Sequence, residues 1–228
     1  MARRQIPNGF WITAVALALS SLACGSTGPD GTLSDSDESE LSADPRGALR
    51  AARLSISRSA IAPTLAPYVA HSDYVAANVP FDPATTLRGA LEGRLRGLLK
   101  NRGEAHVTPV TPGEMGKLRQ RLTAREVEDL AIGAGVQQAV LTPKCVGMGE
   151  KGRDRTFYLV VESSDLMAVR TKIAAAFYAK GGARDAFDAT AFFPHVTLGF
   201  TKRDLHASDG TVKSVASCPN PEGLEVRR

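Results

Sequence analysis

The chain has 228 residues, 28 Lys and Arg against 24 Asp and Glu, and a formal net charge of +4. Its four histidines and three cysteines lack the paired spacing of a zinc site. No Walker loop, serine nucleophile elbow or dinucleotide fingerprint occurs, which argues against a P-loop NTPase, an α/β-hydrolase and a dinucleotide-dependent oxidoreductase.

The first 23 residues have the pattern of a secretory signal peptide. Basic Arg3 and Arg4 precede the apolar run FWITAVALAL, which is short for a membrane span. The segment LACGS around Cys24 resembles a bacterial lipobox, which implies cleavage before Cys24 and lipid on its thiol. An ordinary cleaved signal with an incidental cysteine is the alternative. We therefore expect an exported lipoprotein, anchored in a bacterial membrane and facing the periplasm or the cell exterior.

Residues 24–46 predict a disordered acidic tether behind the lipidated cysteine. This stretch is rich in Gly, Ser, Asp and Glu and has almost no large apolar side chain, so it cannot bury enough surface to order itself. Three of the 28 basic residues and six of the 24 acidic residues lie in residues 1–46, which leaves a net charge of +7 on residues 47–228. A basic domain suits an anionic ligand such as a phosphate ester.

Residues 47–67 predict a helical lead-in, and residues 68–228 are long enough for one domain with its own core. Leucines at helical spacing, from Leu87 to Leu98, predict a helix over 82–101. Thr123, followed three residues later by Glu126, predicts the start of another helix. The other predicted elements are strand 74–81, a Gly-rich basic loop over 145–155, strands 137–143 and 156–163, helix 164–182, and a final strand near 211–217.

Two matched stretches, EAHVTPVT and FFPHVTLGF, each place a histidine two residues before a threonine. Side chains alternate along a strand, so His106 and Thr108 project to one face, as do His195 and Thr197. Each motif strand follows a helix in the predicted order. This order predicts an α+β fold with two pseudo-symmetric lobes of antiparallel sheet, flanking helices, and an active-site cleft between the lobes.

Two imidazoles and two hydroxyls around one cavity suit acid–base chemistry on a phosphodiester. Imidazole titrates near neutral pH, so one histidine can accept a proton while the other donates one. Threonine hydroxyls are short, stiff donors for phosphate oxygens.

AHVTPVT and PHVTLGF resemble the paired motifs of the 2H phosphoesterase superfamily, and GEAHVTPVTPGEM resembles its Swiss Army Knife branch. The resemblance implies that His106 and His195 form the acid–base pair and that Thr108 and Thr197 hold the phosphate. It also implies metal-independent opening of a 2′,3′-cyclic phosphate, or a related phosphodiester, of a nucleotide or RNA end. No cofactor and no protein partner are expected, and the protein is expected to be a monomer.

Several further residues have more than one interpretation. Cys145 and Cys218 either pair as a disulfide in an oxidising compartment or remain buried thiols. Tyr158 and Phe200 favour core positions over base stacking. Glu114 matches an acid of the family branch or only starts a helix. His71 and His206 lack the motif and are expected at the surface. The basic residues near the Gly-rich loop either meet the substrate or are simply solvated: Lys144, Lys151, Arg153 and Arg155.

Two other functions remain open at this stage. The domain is alternatively an exported binding module that holds a nucleotide or sugar phosphate without turnover. It is also compatible with a structural envelope lipoprotein whose site is degenerate. Matched imidazoles favour the enzyme, because a binding protein has no need of two proton-transfer groups.

Overall fold

The structure, a computed structural model, describes residues 44–228. The expected signal peptide, the lipidated Cys24 and nearly all of the acidic tether lie outside the described residues. Within residues 44–228 the chain forms five α-helices and seven β-strands. The three-stranded sheet and one of the two-stranded sheets are antiparallel, so the fold is α+β.

The N-terminal part of the domain differs from the predicted helical lead-in over 47–67. Helix α1 spans only Pro45–Ala51, and strand β1, Leu54–Ser57, follows it. Leu54 and Ile56 alternate with polar serines and point into the core, which is strand periodicity. β1 pairs in parallel with β7, Leu224–Arg227, at the other end of the domain.

The first motif strand lies in a two-stranded antiparallel sheet. Strand β2, Val75–Asn78, pairs with β3, His106–Val110. Between them, helix α2 spans Phe81–Leu95 and buries three of its leucines, whereas Leu98 lies beyond the helix and is 75% exposed. The predicted helix over 82–101 therefore exists but ends earlier.

Two short helices follow β3, and each begins with a capping box. Helix α3 spans Pro112–Leu118 and helix α4 spans Ala124–Gly133. The threonine before each helix accepts a hydrogen bond from the backbone of a glutamate three residues later, and the glutamate side chain accepts one from the threonine backbone. These reciprocal bonds satisfy backbone donors that a helix start leaves unpaired.

The second motif strand is an edge strand of the three-stranded sheet. Strands β4, Thr142–Lys151, and β5, Asp154–Glu162, form a tight hairpin. After helix α5, Ser164–Ala179, strand β6, His195–Phe200, pairs antiparallel with β5. The two motif strands are therefore held by different sheets.

Most of the predicted Gly-rich loop over 145–155 is strand, which corrects that prediction. The glycines of β4 are present because neighbouring side chains approach the strand backbone closely, and not because the chain turns there. A Cβ on Gly147 would lie 2.4 Å from the Tyr158 ring, and one on Gly149 would lie 2.4 Å from Thr211 Cγ2. The glycines of this stretch therefore make room for neighbours within a sheet.

The last predicted strand, near 211–217, is also absent. This part of the chain contains a short 3-10 helix, Val215–Ser217, and β7 begins only at Leu224. The segment 211–218 instead packs along β4.

Packing across the core brings the two motif strands together. β3 lies against β6, α2 packs on β6, and α5 packs on β3. The backbone of Lys100, shortly before β3, exchanges two hydrogen bonds of 2.9 Å with Phe200 at the end of β6. None of the helices in residues 44–228 combines the length and apolar character that spanning a bilayer requires.

Cys145 on β4 and Cys218 form a disulfide across 73 residues of chain. The bridge lies in a small apolar cluster with Tyr158 and Val160. It therefore fastens the segment 211–218 to the sheet that carries the second motif.

Replacing both Cys145 and Cys218 with serine is expected to lower the free energy of unfolding by about 2–4 kcal/mol, because the uncrosslinked chain gains freedom when unfolded. Denaturant unfolding followed by circular dichroism measures the loss. Wild-type protein kept in a reductant should behave like the double variant. A double variant as stable as the oxidised protein would contradict the prediction.

Candidate active site

The two motif strands present the same pattern of burial. In β3, His106 and Thr108 are partly exposed, whereas Val107 is fully buried. In β6, His195 and Thr197 are partly exposed and Val196 is buried. Each histidine and its threonine therefore share one strand face, away from the apolar residue between them.

His195 is held in one tautomer by the backbone just before β6. Its Nδ1 lies 2.8 Å from the carbonyl oxygen of Phe193, and a carbonyl only accepts, so Nδ1 carries the proton. Burial, and next the positive charge of Lys213, lowers the pKa of His195 to about 3. The neutral ring consequently has a free lone pair on Nε2, as a general base requires.

His106 lies in a more mixed environment. Its Nδ1 is 3.8 Å from Glu104 Oε1, and its ring centroid is 5.7 Å from that of Tyr74. Burial lowers the pKa of His106 from 6.5, and Glu104 opposes this effect. His71 and Arg102 lower the pKa further. Proton uptake is therefore easier at His106 than it would be without the neighbouring carboxylate.

The two imidazoles belong to one electrostatic cluster. The charge of His106 contributes to the lowered pKa of His195, and the carboxylate of Asp204 acts on both rings in the opposite direction. The packing of β3 against β6 accounts for this proximity. Two proton-transfer groups from distant parts of the sequence are thus brought into the same region.

Thr197 is tied to a carboxylate that the sequence patterns did not single out. Its hydroxyl donates to Asp204 Oδ2 at 3.3 Å, and the hydroxyl of Thr156 donates to Asp204 Oδ1 at 2.7 Å. Asp204 is buried and also pairs with Lys213. Asp204 and Lys213 lie outside the repeated motifs, so only their positions in the fold connect them to the histidines.

The two histidines outside the motifs differ from each other. His71 was expected at the surface, but its ring is partly buried and stacks on Tyr74 at 3.9 Å. His206 is exposed, as expected, with its Nε2 4.0 Å from Asp204 Oδ2. The spacing of His71 and Tyr74 is common in sequences, so it did not predict that the two rings stack.

Three of the four basic residues near the β4–β5 hairpin have acidic partners. Lys144 pairs with Glu162 at 3.0 Å, and Arg155 pairs with Glu150 at 3.2 Å. Lys151 pairs with Asp209, and Arg153 is exposed at the hairpin turn.

The remaining candidates have structural contacts in the domain. Tyr158 is fully buried, and its ring forms a T-shaped pair with that of His195, with 5.7 Å between centroids. Phe200 is partly exposed at the end of β6. Glu114 caps α3 and also accepts a hydrogen bond of 2.9 Å from Arg170. In residues 44–228, no three His, Cys, Asp or Glu side chains converge as a metal site.

Comparison with protein families places most of the chain in a known family. Residues 74–206 match the family described as Swiss Army Knife, 2H phosphoesterase domain. The chain belongs to this 2H phosphoesterase family. Membership supports phosphodiesterase-type activity, the hydrolysis of a phosphodiester bond. Neither the comparison with curated proteins nor the comparison with solved structures gave a significant match.

The family match covers both motif strands of this 2H phosphoesterase but not the whole domain. It begins at the residue before β2 and ends shortly after Asp204. The segment 211–218, with Lys213 and the disulfide to β4, lies beyond it. Part of the histidines' surroundings is therefore supplied by residues outside the matched region.

Proposed function

We propose that the protein hydrolyses a 2′,3′-cyclic phosphate, or a related phosphodiester, at a nucleotide or an RNA end. The observation that carries the proposal is the packing of β3 against β6, which brings both motif imidazoles, His106 and His195, into one electrostatic cluster. A site that transfers protons at two histidines needs no third participant for the proton movements. The proposed reaction is therefore metal-independent.

The different surroundings of the two rings support different roles. We assign His195 as the base, because its ring stays neutral down to about pH 3 and Nδ1 is committed to the carbonyl of Phe193. Its Nε2 takes a proton from water while the water oxygen bonds to phosphorus. His106, beside Glu104, donates a proton to the ribose oxygen as the bond from phosphorus to that oxygen breaks. One proton is taken and one is given, and the product is a phosphomonoester.

The proposed phosphate contacts are the hydroxyls of Thr108 and Thr197, each on the same strand face as its histidine. Arg102 acts on His106, is half exposed and lies 3.8 Å from Asp204 Oδ2, so its exposed guanidinium can also face an anion beside the histidines. The net charge of +7 on residues 47–228 acts in the same direction at longer range.

We further propose that β3 and β6 belong to two related lobes, with the substrate bound in a cleft between them. The shared burial pattern of the two strands supports this arrangement, as does the attachment of each strand to a different sheet. The protein is proposed to act as a monomer.

The location of the protein is proposed from the N-terminal sequence, as an exported lipoprotein with Cys24 as its anchor. The disulfide between Cys145 and Cys218 supports an oxidising compartment. Its substrate would then be a phosphodiester present outside the cytoplasm.

The direct experiment is turnover of 2′,3′-cyclic nucleotides, linear dinucleotides and RNA with a cyclic phosphate end by the purified protein, in buffer with a chelator. Phosphomonoester formation from the cyclic substrates, with the position of the phosphate read by ³¹P NMR, is the expected result. Nucleotide binding without turnover of any phosphodiester would support the binding module instead.

The pH dependence of kcat/KM is expected to show an acidic optimum. The active form needs neutral His195 and protonated His106 together. Below about pH 3, His195 takes up a proton and the rate falls. Above the pKa of His106, which lies below 6.5, the acid has lost its proton and the rate falls again. An optimum at or above pH 7 would contradict these assignments.

Glu104 provides a sharper test, because its charge raises the pKa of His106. In Glu104→Gln, the pKa of His106 should fall, so the alkaline limb of the kcat/KM profile should move to lower pH. Glu162→Gln, an exposed glutamate paired with Lys144, is the matched control and should leave that limb in place.

A further inference from the structure

A buried ion pair lies beside the second motif, and one of its members is outside the matched family region. Lys213 Nζ and Asp204 Oδ1 are 2.9 Å apart, with side-chain exposures of 5% and 6%. Burying two charges costs solvation free energy, and an apolar pair of similar volume is often as stable. The pair therefore calls for a role beyond holding the fold together.

Asp204 connects this pair to the motif. Its Oδ1 accepts hydrogen bonds from Thr156 and Lys213, and its Oδ2 accepts one from Thr197. The single hydroxyl proton of Thr197 is therefore directed at the carboxylate, and the hydroxyl has to turn away from Asp204 before it donates to a phosphate oxygen. Burial by itself would raise the pKa of Asp204, but the charge and hydrogen bond of Lys213, together with the hydrogen bond from Thr156 and the charge of His206, lower it and keep the carboxylate ionised.

Lys213 also acts on the histidine of the same motif. Its ammonium lies 5.4 Å from the centroid of the Tyr158 ring, and that ring forms a T-shaped pair with His195. A positive charge in these surroundings disfavours a second positive charge on the imidazole. The disulfide at Cys218 fastens the segment that carries Lys213 to β4.

We propose that Asp204 and Lys213 are a positioning pair for the second motif: Asp204 holds the side chain of Thr197 in place, and Lys213, together with burial, keeps His195 in its neutral, proton-accepting form. The proposal rests on the proposed phosphodiesterase function. It extends the site to a residue beyond the matched region and assigns that residue an electrostatic task rather than contact with the substrate.

The other charged and titratable groups around His195 come from several elements. His106 on β3 acts on His195, and the Tyr158 ring on β5 contacts it. Glu104 and Arg102 act on His106, and His206 lies 4.0 Å from Asp204. Among the charges that act on His195, Lys213 has the largest effect, followed by Asp204 and then His106. Removing Lys213 should therefore change the titration of His195 more than any other single charge removal.

The experiment is an NMR titration of the histidine side chains in the substrate-free full chain, paired with kcat/KM profiles. In Lys213→Met, the pKa of His195 should rise from about 3 towards its ordinary value, because a repelling charge is lost and Asp204 loses its buried partner, keeping the half-exposed Arg102 at 3.8 Å. The acidic limb of kcat/KM should move to higher pH by the same amount. Lys213→Arg keeps the charge and should keep the low pKa.

Two further variants keep the test decisive. Lys144→Met removes a lysine that pairs with Glu162 at 3.0 Å on the surface, and it should leave the titration of His195 unchanged. If Lys213→Met does not fold, the double variant Asp204→Asn/Lys213→Met leaves no buried charge unpaired. In this double variant the pKa of His195 should still rise, but by less than in Lys213→Met, because Lys213 acts on the ring more strongly than Asp204 does.

Failure of this proposal and failure of the proposed function give different results. A His195 titration that is the same in wild type and in the charge-removing variants would overturn the positioning pair, even in an active enzyme. Absence of turnover by the wild-type protein would overturn the proposed function alone, because the titration is measured without substrate.

Discussion

His195→Ala is expected to lower kcat/KM on a 2′,3′-cyclic nucleotide by about 10²–10⁴-fold, the usual contribution of one general acid or base. His106→Ala should lower it by a similar factor on the same substrate, because the departing ribose oxygen needs a proton. Unfolding by denaturant should remain close to wild type in both variants if their effect is on the chemistry.

A second substrate separates the two roles. A nitrophenyl phosphodiester releases a phenolate that departs without protonation. His106→Ala should therefore recover much of its activity on this substrate, whereas His195→Ala should stay impaired on both. The opposite result would exchange the roles of acid and base. Activity that survives both substitutions would rule out the two-histidine mechanism.

Arg170→Met is expected to lower the free energy of unfolding by about 3–5 kcal/mol, as for other buried charges that lose a partner. Arg170 on α5 is 1% exposed. Its guanidinium donates to the carbonyl of Pro109 in β3 at 2.6 Å and to Glu114 at 2.9 Å. Without it the buried carbonyl of Pro109 loses this donor and Glu114 keeps only its capping bonds to Thr111; a buried polar group without a partner is costly.

The same guanidinium reaches the chain that leads into β6. It donates to the carbonyls of Asp188 at 2.6 Å and Ala189 at 2.9 Å. Its charge also lies 4.6 Å from the centroid of the Phe187 ring. Arg170 therefore fixes the strand of the first motif and the approach to the second from one helix. Displacement of either strand should also lower kcat/KM.

Urea unfolding followed by circular dichroism measures the change in stability. Arg125→Met is the matched control, because Arg125 is 86% exposed and pairs with Asp129 only at the surface. Such a pair is worth about 0–1 kcal/mol. Arg170→Lys should also be strongly destabilised, since one ammonium cannot replace a planar group that donates in several directions. Equal stability of Arg170→Met and Arg125→Met would contradict the prediction.

Local patterns in the sequence were enough to predict much of the fold around the site. The helix at α5, the capping box at Thr123 and the strand context of both motifs are all set by neighbours within a few residues. The alternation at His106, Val107 and Thr108 is of the same kind, since a strand repeats every two residues. The catalytic roles of the motif residues stay predictions.

Errors in the sequence interpretation occurred where distant chain decides the structure. The sequence pattern placed Leu54 and Ile56 in a helix, but they form a strand because they pair with β7 near the C-terminus. The sequence pattern placed Gly147 in a loop, but glycine is needed there because a side chain would collide with Tyr158 on the neighbouring strand. Neither partner is near in sequence, so no local pattern contains the information.

By itself the sequence determined the residue types at the two motifs, the strand faces they occupy and the family to which they point, because these depend on short-range periodicity. Only the tertiary structure decided that Asp204, Lys213 and Arg170 belong with them. Burial and charge at a site are sums over side chains from many parts of the chain, and packing alone brings those side chains together.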